Sequence, residues 1–355
     1  MAPKYSVVIP TLNRSEKLRR ALDSVLRQPI DGELEVVVID NLSEDDTQQV
    51  LAEPQYSNVR VIRQPARVPR IHNFMTALKA ATGEYLAILY DDEEMLADNL
   101  LSKGRVLDEH PEVVAVTSSV AKRDFDGTMT PGVLVRPGFT IEHRGEYLRN
   151  TFLKAPGGLP QVLMRRWVMD HLKIEQRDEP LDDNAFVLRL SSLGAIATMP
   201  EALVTETFTD AEMVNTGLLE PFEIPNQPGE TAYLPAVWFG WCHYRIRVEH
   251  LLSSTDLSKK QTRALHRAAF RVFRRDVWKG AYWRWHVSKQ PGAVIKFLAK
   301  AGAFDLRLLI PPVLFFLQWK TGDTTAPMAT DTVNNSVEVG QNPQKPSIPY
   351  EEGLA

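Results

Sequence analysis

Four consecutive acids, Asp91, Asp92, Glu93 and Glu94, close the apolar run Tyr85-Leu86-Ala87-Ile88-Leu89-Tyr90. A short apolar run with such punctuation reads as a buried strand. Carboxylates crowded at its end repel one another unless a cation sits among them. Hard oxygen ligands suit Mg²⁺ or Mn²⁺, ions that also hold substrate phosphates. In open α/β sheets, ligands bind outside the carboxyl ends of the strands. The cluster therefore reads as a metal–diphosphate site. The competing reading is an acid-rich first helical turn with Asp91 or Asp92 as its cap.

The elements around this cluster must place it at a sheet edge. Residues 5–10 form an apolar, β-branched run closed by Pro10, and 11–15 read as a loop. Leu18, Ala21, Leu22, Val25 and Leu26 recur at helical spacing, which predicts an amphipathic helix over 16–28. Strands are predicted at 35–39, 59–62, 85–89, 113–118, 161–164 and 195–199. Helices are predicted at 47–52, 70–81, 96–109, 166–172 and 183–193. Strands and helices that alternate through short joints imply a doubly wound, mostly parallel α/β sheet, Rossmann-like in class.

The chain has 355 residues, with 44% hydrophobic and 24% charged, enough for one large domain and a smaller one. Its single cysteine, Cys242, excludes an internal disulfide and fits a reducing compartment. The N-terminal residues lack the apolar segment of a secretory leader, and no uncharged apolar stretch reaches the ~18 residues that span a bilayer. The formal net charge of −4 is unevenly spread. Residues 241–320 carry 16 Lys and Arg against 4 Asp and Glu, which leaves −16 on the remainder. This predicts an acidic body and a basic module for an anionic partner. In 262–286, Leu265, Ala269, Phe273, Val277 and Ala281 repeat every four residues among basic positions. The expected division is a body over 1–230, basic helices over 231–320 and a disordered tail over 321–355.

Together these segments resemble the family 2 glycosyltransferases of the GT-A fold. The likeness rests on Ser6-Val7-Val8-Ile9-Pro10-Thr11-Leu12-Asn13-Arg14, on Glu35-Val36-Val37-Val38-Ile39-Asp40-Asn41, on Gly83-Glu84-Tyr85, and on the acids that follow. It covers roughly residues 4–210. It implies non-processive, inverting transfer from a nucleoside-diphosphate sugar to a hydroxyl of a glycan or glycolipid, as in polysaccharide biosynthesis. A UDP- or dTDP-sugar is the expected donor, and Mn²⁺ or Mg²⁺ the cofactor. Pro10, Thr11, Asn13 and Arg14 would face the nucleotide, and Asp40 would accept from a uracil or thymine imide. Arg70 and Asn73 would lie near the diphosphate. Asp91 would sit near the ribose, with Asp92 and Glu93 on the metal. Asp183, in Leu181-Asp182-Asp183-Asn184, would be the catalytic base, although the same residues make a good helix cap.

The pattern departs from the family at Asn41, Tyr90, Glu93 and Asp182, which keeps a catalytically silent GT-A scaffold as the alternative. Processive members carry Gln-x-x-Arg-Trp; here Ala281 replaces Gln before Arg284-Trp285. Basic helices with tryptophan suit an anionic membrane surface, and so a peripheral place on the inner face of the cell membrane, reached from the cytoplasm. A solvated face and a homo-oligomer interface are rival uses. Nucleic acid is not expected, because no recognition motif accompanies the charge. A dinucleotide enzyme is disfavoured because the first strand–helix joint lacks Gly-x-Gly-x-x-Gly. Glycoside hydrolysis would not need a nucleotide loop. Gly157-Gly158 is a candidate acceptor loop.

Overall fold

Alternating residues of the first strand enter two different cores. Val7 and Ile9 join one cluster and Val8 the other, and all three are fully buried. A strand covered on both faces must be apolar where it is covered, as are residues 7–9 of β1 (Tyr5–Thr11), 36–39 of β2 (Leu34–Asp40) and all of β4 (Tyr85–Ile88). The computed structural model describes residues 2–123, 128–131, 136–143, 159–172, 182–207 and 257–288, with isolated positions within 146–150, 244–249 and 292–307.

β3 (Arg60–Arg63), β2, β1 and β4 lie side by side and parallel. β8 (Leu163–Arg165) then runs antiparallel between β4 and β5 (Val113–Arg123). β9 (Ala195–Thr207) is parallel to β5, and β7 (Thr140–Glu142) runs antiparallel along β9. β6 (Met129–Pro131) pairs with the far end of β5. Helices α1 (Ser15–Leu26), α2 (Thr47–Leu51) and α4 (Asn99–Glu109) cover one face. Helices α3 (Arg70–Ala80) and α5 (Asp182–Leu190) cover the other. The expected doubly wound sheet is present.

Gly83 shows why the turn into β4 is tight. A Cβ there would come within 2.8 Å of the Ser6 amide nitrogen, so only glycine lets the two backbones approach. Its N–H donates to Ser6 Oγ at 2.8 Å. This contact sets β4 beside β1 and so fixes the place of the acids beyond it.

Several boundaries differ from expectation for physical reasons. α4 begins at Asn99 rather than 96. Met95 is held in a bridge to Val204, Leu96 N–H donates to Leu203 O, and Asp98 takes a left-handed turn at φ 61°. β9 runs on to Thr207 because β5 offers it a partner over its whole length. The 159–161 segment is a 3₁₀ turn ahead of β8, and Arg166–Asp170 is a second one. α5 begins at Asp182, one residue before the expected start at Asp183, and ends at Leu190.

Helix α6 (Lys259–Ser288) carries the apolar repeat foreseen in the basic region. Ala269, Phe273, Val277 and Ala281 are buried within the chain, with Tyr244 stacked on Phe273 at 5.6 Å. The stripe is therefore used internally. Lys259, Lys260, Arg263, Arg267 and Arg271 are exposed. Among the described residues, no helix is long and apolar enough to cross a membrane. The 230/231 boundary, the tail after 321 and Gly157-Gly158 lie outside the described residues.

Candidate active site

The carboxyl ends of β1, β2 and β4 meet at one edge, and loops 11–15 and 40–47 are stitched together there. Asn13 N–H donates to Ser43 Oγ at 2.9 Å, Glu44 N–H to Asn13 Oδ1 at 2.8 Å, and Ser15 N–H to Asp45 Oδ2 at 2.9 Å. Asn13 and Leu42 both adopt positive φ, at 54° and 63°. Asparagine tolerates that region; for leucine it is strained. Such backbone strain persists only where the surroundings over-determine it, and the cross-stitching does so.

The four acids separate in space. Asp91 is buried and accepts from Thr11 Oγ1 at 2.8 Å. One guanidinium nitrogen of Arg14 spans both aspartates, at 3.0 Å from Asp91 Oδ1 and 2.9 Å from Asp92 Oδ2. Burial pushes the Asp91 carboxyl up to about 6; Arg14 opposes that shift and the Asp92 charge adds to it. Glu94 faces the other way. It pairs with Arg123 at 3.0 Å and with Arg20 at 3.4 Å, and its N–H donates to Thr205 Oγ1 at 3.0 Å. It is a rivet between α1, β5 and β9, not a member of the edge site.

Asp40 is wholly buried, and its oxygens serve the protein's own loop. Ser43 N–H donates to Oδ1 at 2.8 Å, Gln48 Nε2 donates to Oδ2 at 2.7 Å, and Arg63 lies 3.6 Å away. Asn73, expected near a diphosphate, is also buried, and ties α3 to Ile39 O and to Gln64. The Asn41 departure has a structural cause. Its Nδ2 donates to Val68 O at 2.9 Å, and its Oδ1 accepts from Val68 N–H at 3.0 Å. An aspartate could only accept, so the amide is what holds the 64–69 loop. Arg70 stands exposed in the first turn of α3.

Asp183 is half-buried near the start of α5. A short joint leads from that helix into the first residue of β9. β9 is parallel to β5, and β8 is antiparallel to both β5 and β4, so β9 runs in the direction of β4. The N-terminal end of α5 thus lies toward the edge that carries Asp91 and Asp92. Among the described residues, no group of three His, Cys, Asp or Glu side chains is placed to hold a metal. Two carboxylates, Asp91 and Asp92, converge instead on one cationic nitrogen of Arg14.

Residues 6–161 match the model of the family described as "Glycosyl transferase family 2". The domain belongs to that family. Its architecture is the GT-A fold, as in S. aureus TarS 1-349 in complex with UDP-GlcNAc. That match has a TM-score of 0.59 at 17% identity, over 91% of this chain and 93% of that one. The mannosyltransferase PcManGT from Pyrobaculum calidifontis, in complex with GDP-Man and Mn²⁺, aligns with a TM-score of 0.50 at 18% identity, over 91% and 80%. By sequence, this chain is 35% identical over 101 residues to the GalNAc(5)-diNAcBac-PP-undecaprenol beta-1,3-glucosyltransferase of Campylobacter jejuni, covering 28% of this chain and 32% of that protein. An uncharacterized protein, y4gI, of Sinorhizobium fredii is 26% identical over 227 residues, 59% of this chain and 22% of that one. The chain thus spans between a fifth and a third of the length of these curated relatives.

Two structural facts escaped the sequence: the Arg14 bridge and the Glu94 rivet. The only signal for either was the odd count of acids, since four carboxylates exceed what one cation needs.

Proposed function

We propose that this family 2 domain transfers a sugar from a nucleoside-diphosphate sugar to an acceptor hydroxyl, with inversion and in single transfers. The observation that carries this reading is the Asp91–Asp92 pair, converged on one cation at the carboxyl edge of the sheet. UDP-sugars are the favoured donor class, in keeping with the UDP-GlcNAc bound to the TarS neighbour. A lipid-linked glycan is the favoured acceptor, in keeping with the Campylobacter relative.

Asp92 and Glu93, with Asp91 beside them, would hold Mg²⁺ or Mn²⁺, and that ion would supply Lewis acidity toward the departing diphosphate. Thr11 fixes the Asp91 carboxylate, so the pair is set before donor binds. Pro10, Thr11 and Arg14 line the phosphate side, and Arg70 stands on the rim. Asn13, Asp40 and Asn73 act as positioning residues that hold the base-side loops in shape. Asp183 takes the proton from the acceptor hydroxyl as its oxygen attacks the anomeric carbon from the face opposite the diphosphate. A single displacement of this kind inverts the centre and needs no covalent intermediate.

The exposed cations of α6 complete the reading. At 100° per residue, Lys259, Lys260, Arg263, Arg267 and Arg271 fall within an arc of roughly 120°. Each Lys or Arg contributes about 1 kcal/mol near an anionic bilayer surface. Such a face would hold the enzyme peripherally beside its lipid-linked acceptor, on the cytoplasmic side of the membrane.

Calorimetry with UDP, dTDP and GDP, with and without Mn²⁺, tests the donor site. UDP binding that strengthens with Mn²⁺ is expected. Silence toward all three nucleotides would overturn the reading and leave a binding scaffold in its place.

A further inference from the structure

Thr11, Asp40 and Arg63 end three neighbouring parallel strands in one register, Thr11 beside Asp40 and Asp40 beside Arg63. Registered partners on adjacent strands lie about 4.8 Å apart and share one face of the sheet. Thr11 also holds Asp91. The row therefore starts at the donor site and runs outward to β3, the edge strand of the sheet. A nucleotide with its diphosphate at the Asp91 end would lay its base over the Asp40 and Arg63 end.

Asp40 itself is shut away, wholly buried with both oxygens engaged. It anchors two side chains that are less buried. Gln48 Nε2 donates to Asp40 Oδ2 at 2.7 Å, and Arg63 Nε stands 3.6 Å from the same oxygen. A carboxylate only accepts, so the Gln48 amide must turn its nitrogen toward Asp40 and its Oε1 away. Arg63 Nη2 donates to Ser43 O at 2.8 Å, and the side chain remains 39% exposed. Among the described residues, Gln48 Oε1 and Arg63 Nη1 make no hydrogen bond. One acceptor and one donor, each of fixed sense, are thus left around Asp40.

We propose that Gln48 and Arg63 read the base of the donor nucleotide: Gln48 Oε1 accepts from the imide N3–H of uracil, and Arg63 donates to the neighbouring O4 carbonyl. The order along the row fits the ring. N3 lies nearer the ribose than O4 does, and Asp40, which holds Gln48, is one strand nearer Asp91 than Arg63 is. Cytosine reverses both partners, with a bare N3 and an amino group at C4. Gln48 cannot turn over to suit it, because that would set Oε1 against the Asp40 carboxylate. Asp40 is then a positioning residue that makes the reader one-way. The proposal deepens the donor-site reading above and rests on it. It moves base recognition from Asp40, where the family resemblance put it, to the two side chains that Asp40 anchors.

The test is calorimetric titration of the full chain with UDP and with CDP. The two share ribose and diphosphate, so the ratio of their affinities isolates the base edge. Wild type should bind UDP about tenfold or more tightly than CDP, since a site built for one hydrogen-bonding edge leaves polar groups unpaired against the other. Gln48→Met and Arg63→Met should each weaken UDP several-fold and leave CDP unchanged or tighter. In Asp40→Asn the side-chain amide can donate to Gln48 Oε1, which frees the Gln48 nitrogen to face the base, so the preference for UDP should fall to equality or reverse. Circular dichroism checks that each variant is folded, and Arg63→Met, at an exposed position, decides the matter if a buried change unfolds the chain. Equal weakening of UDP and CDP in Gln48→Met and Arg63→Met would mean that both side chains only hold the loop, and overturns the proposal. So does an intact UDP preference in Gln48→Met, or wild type that binds the two nucleotides equally; the donor-site reading then survives by itself. Wild type that binds neither nucleotide removes both.

Discussion

Asp92 and Glu94 stand two residues apart and live under opposite rules. Glu94 is pinned by arginines from a helix and a strand, and by the Thr205 hydroxyl of a second strand. Asp92 shares one loop arginine with Asp91 and keeps 20% of its side chain exposed. A carboxylate surrounded by rigid countercharge holds the fold together and binds nothing further. Asp92, by contrast, keeps part of its carboxylate accessible at the open edge of the sheet. The difference between the two is a matter of where the cations are anchored, not of the acids themselves.

The largest expected effect lies on the available side. Asp183→Asn and Asp92→Asn should each lower kcat for transfer by about 10³-fold or more, the scale of a lost general base or charge-stabilising group. Far-UV circular dichroism should not change. Normal turnover by either variant would take that residue out of the mechanism.

On the structural side, Glu94→Gln should cost about 2 kcal/mol in urea unfolding, because it leaves two arginines facing each other across a partly buried site. Asp92→Asn should stay within about 1 kcal/mol of wild type, since it also relieves repulsion from Asp91. Equal losses in the two variants would erase the contrast between the clusters.

Lys103 sharpens it from another side. It is fully buried in α4, and its ammonium donates to Gln161 O at 2.8 Å. Burial lowers its ammonium to about 7. Between pH 7 and its ordinary value near 10.5, the unfolded chain holds a proton that the folded chain has lost, so stability rises with pH there. Below pH 7 the full cost of the buried charge remains. Lys103→Met should therefore gain about 1–2 kcal/mol at pH 6, after the loss of the Gln161 partner, and the gain should vanish by pH 9. Urea midpoints at both pH values check this.

The smallest effect concerns the surface. Changing Arg263, Arg267 and Arg271 to Glu should abolish sedimentation with anionic vesicles and leave UDP affinity unaltered. Unchanged sedimentation would free α6 from any membrane role.

Strand and helix order was legible because buried strands are apolar throughout and helices repeat at 3.6 residues. The 85–89 strand, the 16–28 helix and the buried stripe of α6 all follow from that rule. Boundaries were less legible where tertiary pairing intervenes, as at Asp98 and along β9. The site was legible as a set of acids at a sheet edge. It was not legible as two clusters.

Local patterns determined the doubly wound order, the edge on which the acids fall and the basic face of α6, because each depends on residues within a few positions of one another. Folding alone decided which acid meets which cation. Arg14 lies 77 residues from Asp91, Arg123 lies 29 from Glu94, and Thr205 lies 111 from it. No local periodicity encodes those distances. They arise when β4 is set against β1, and β9 against β5, and the charges brought along by neighbouring strands then give identical carboxylates different work.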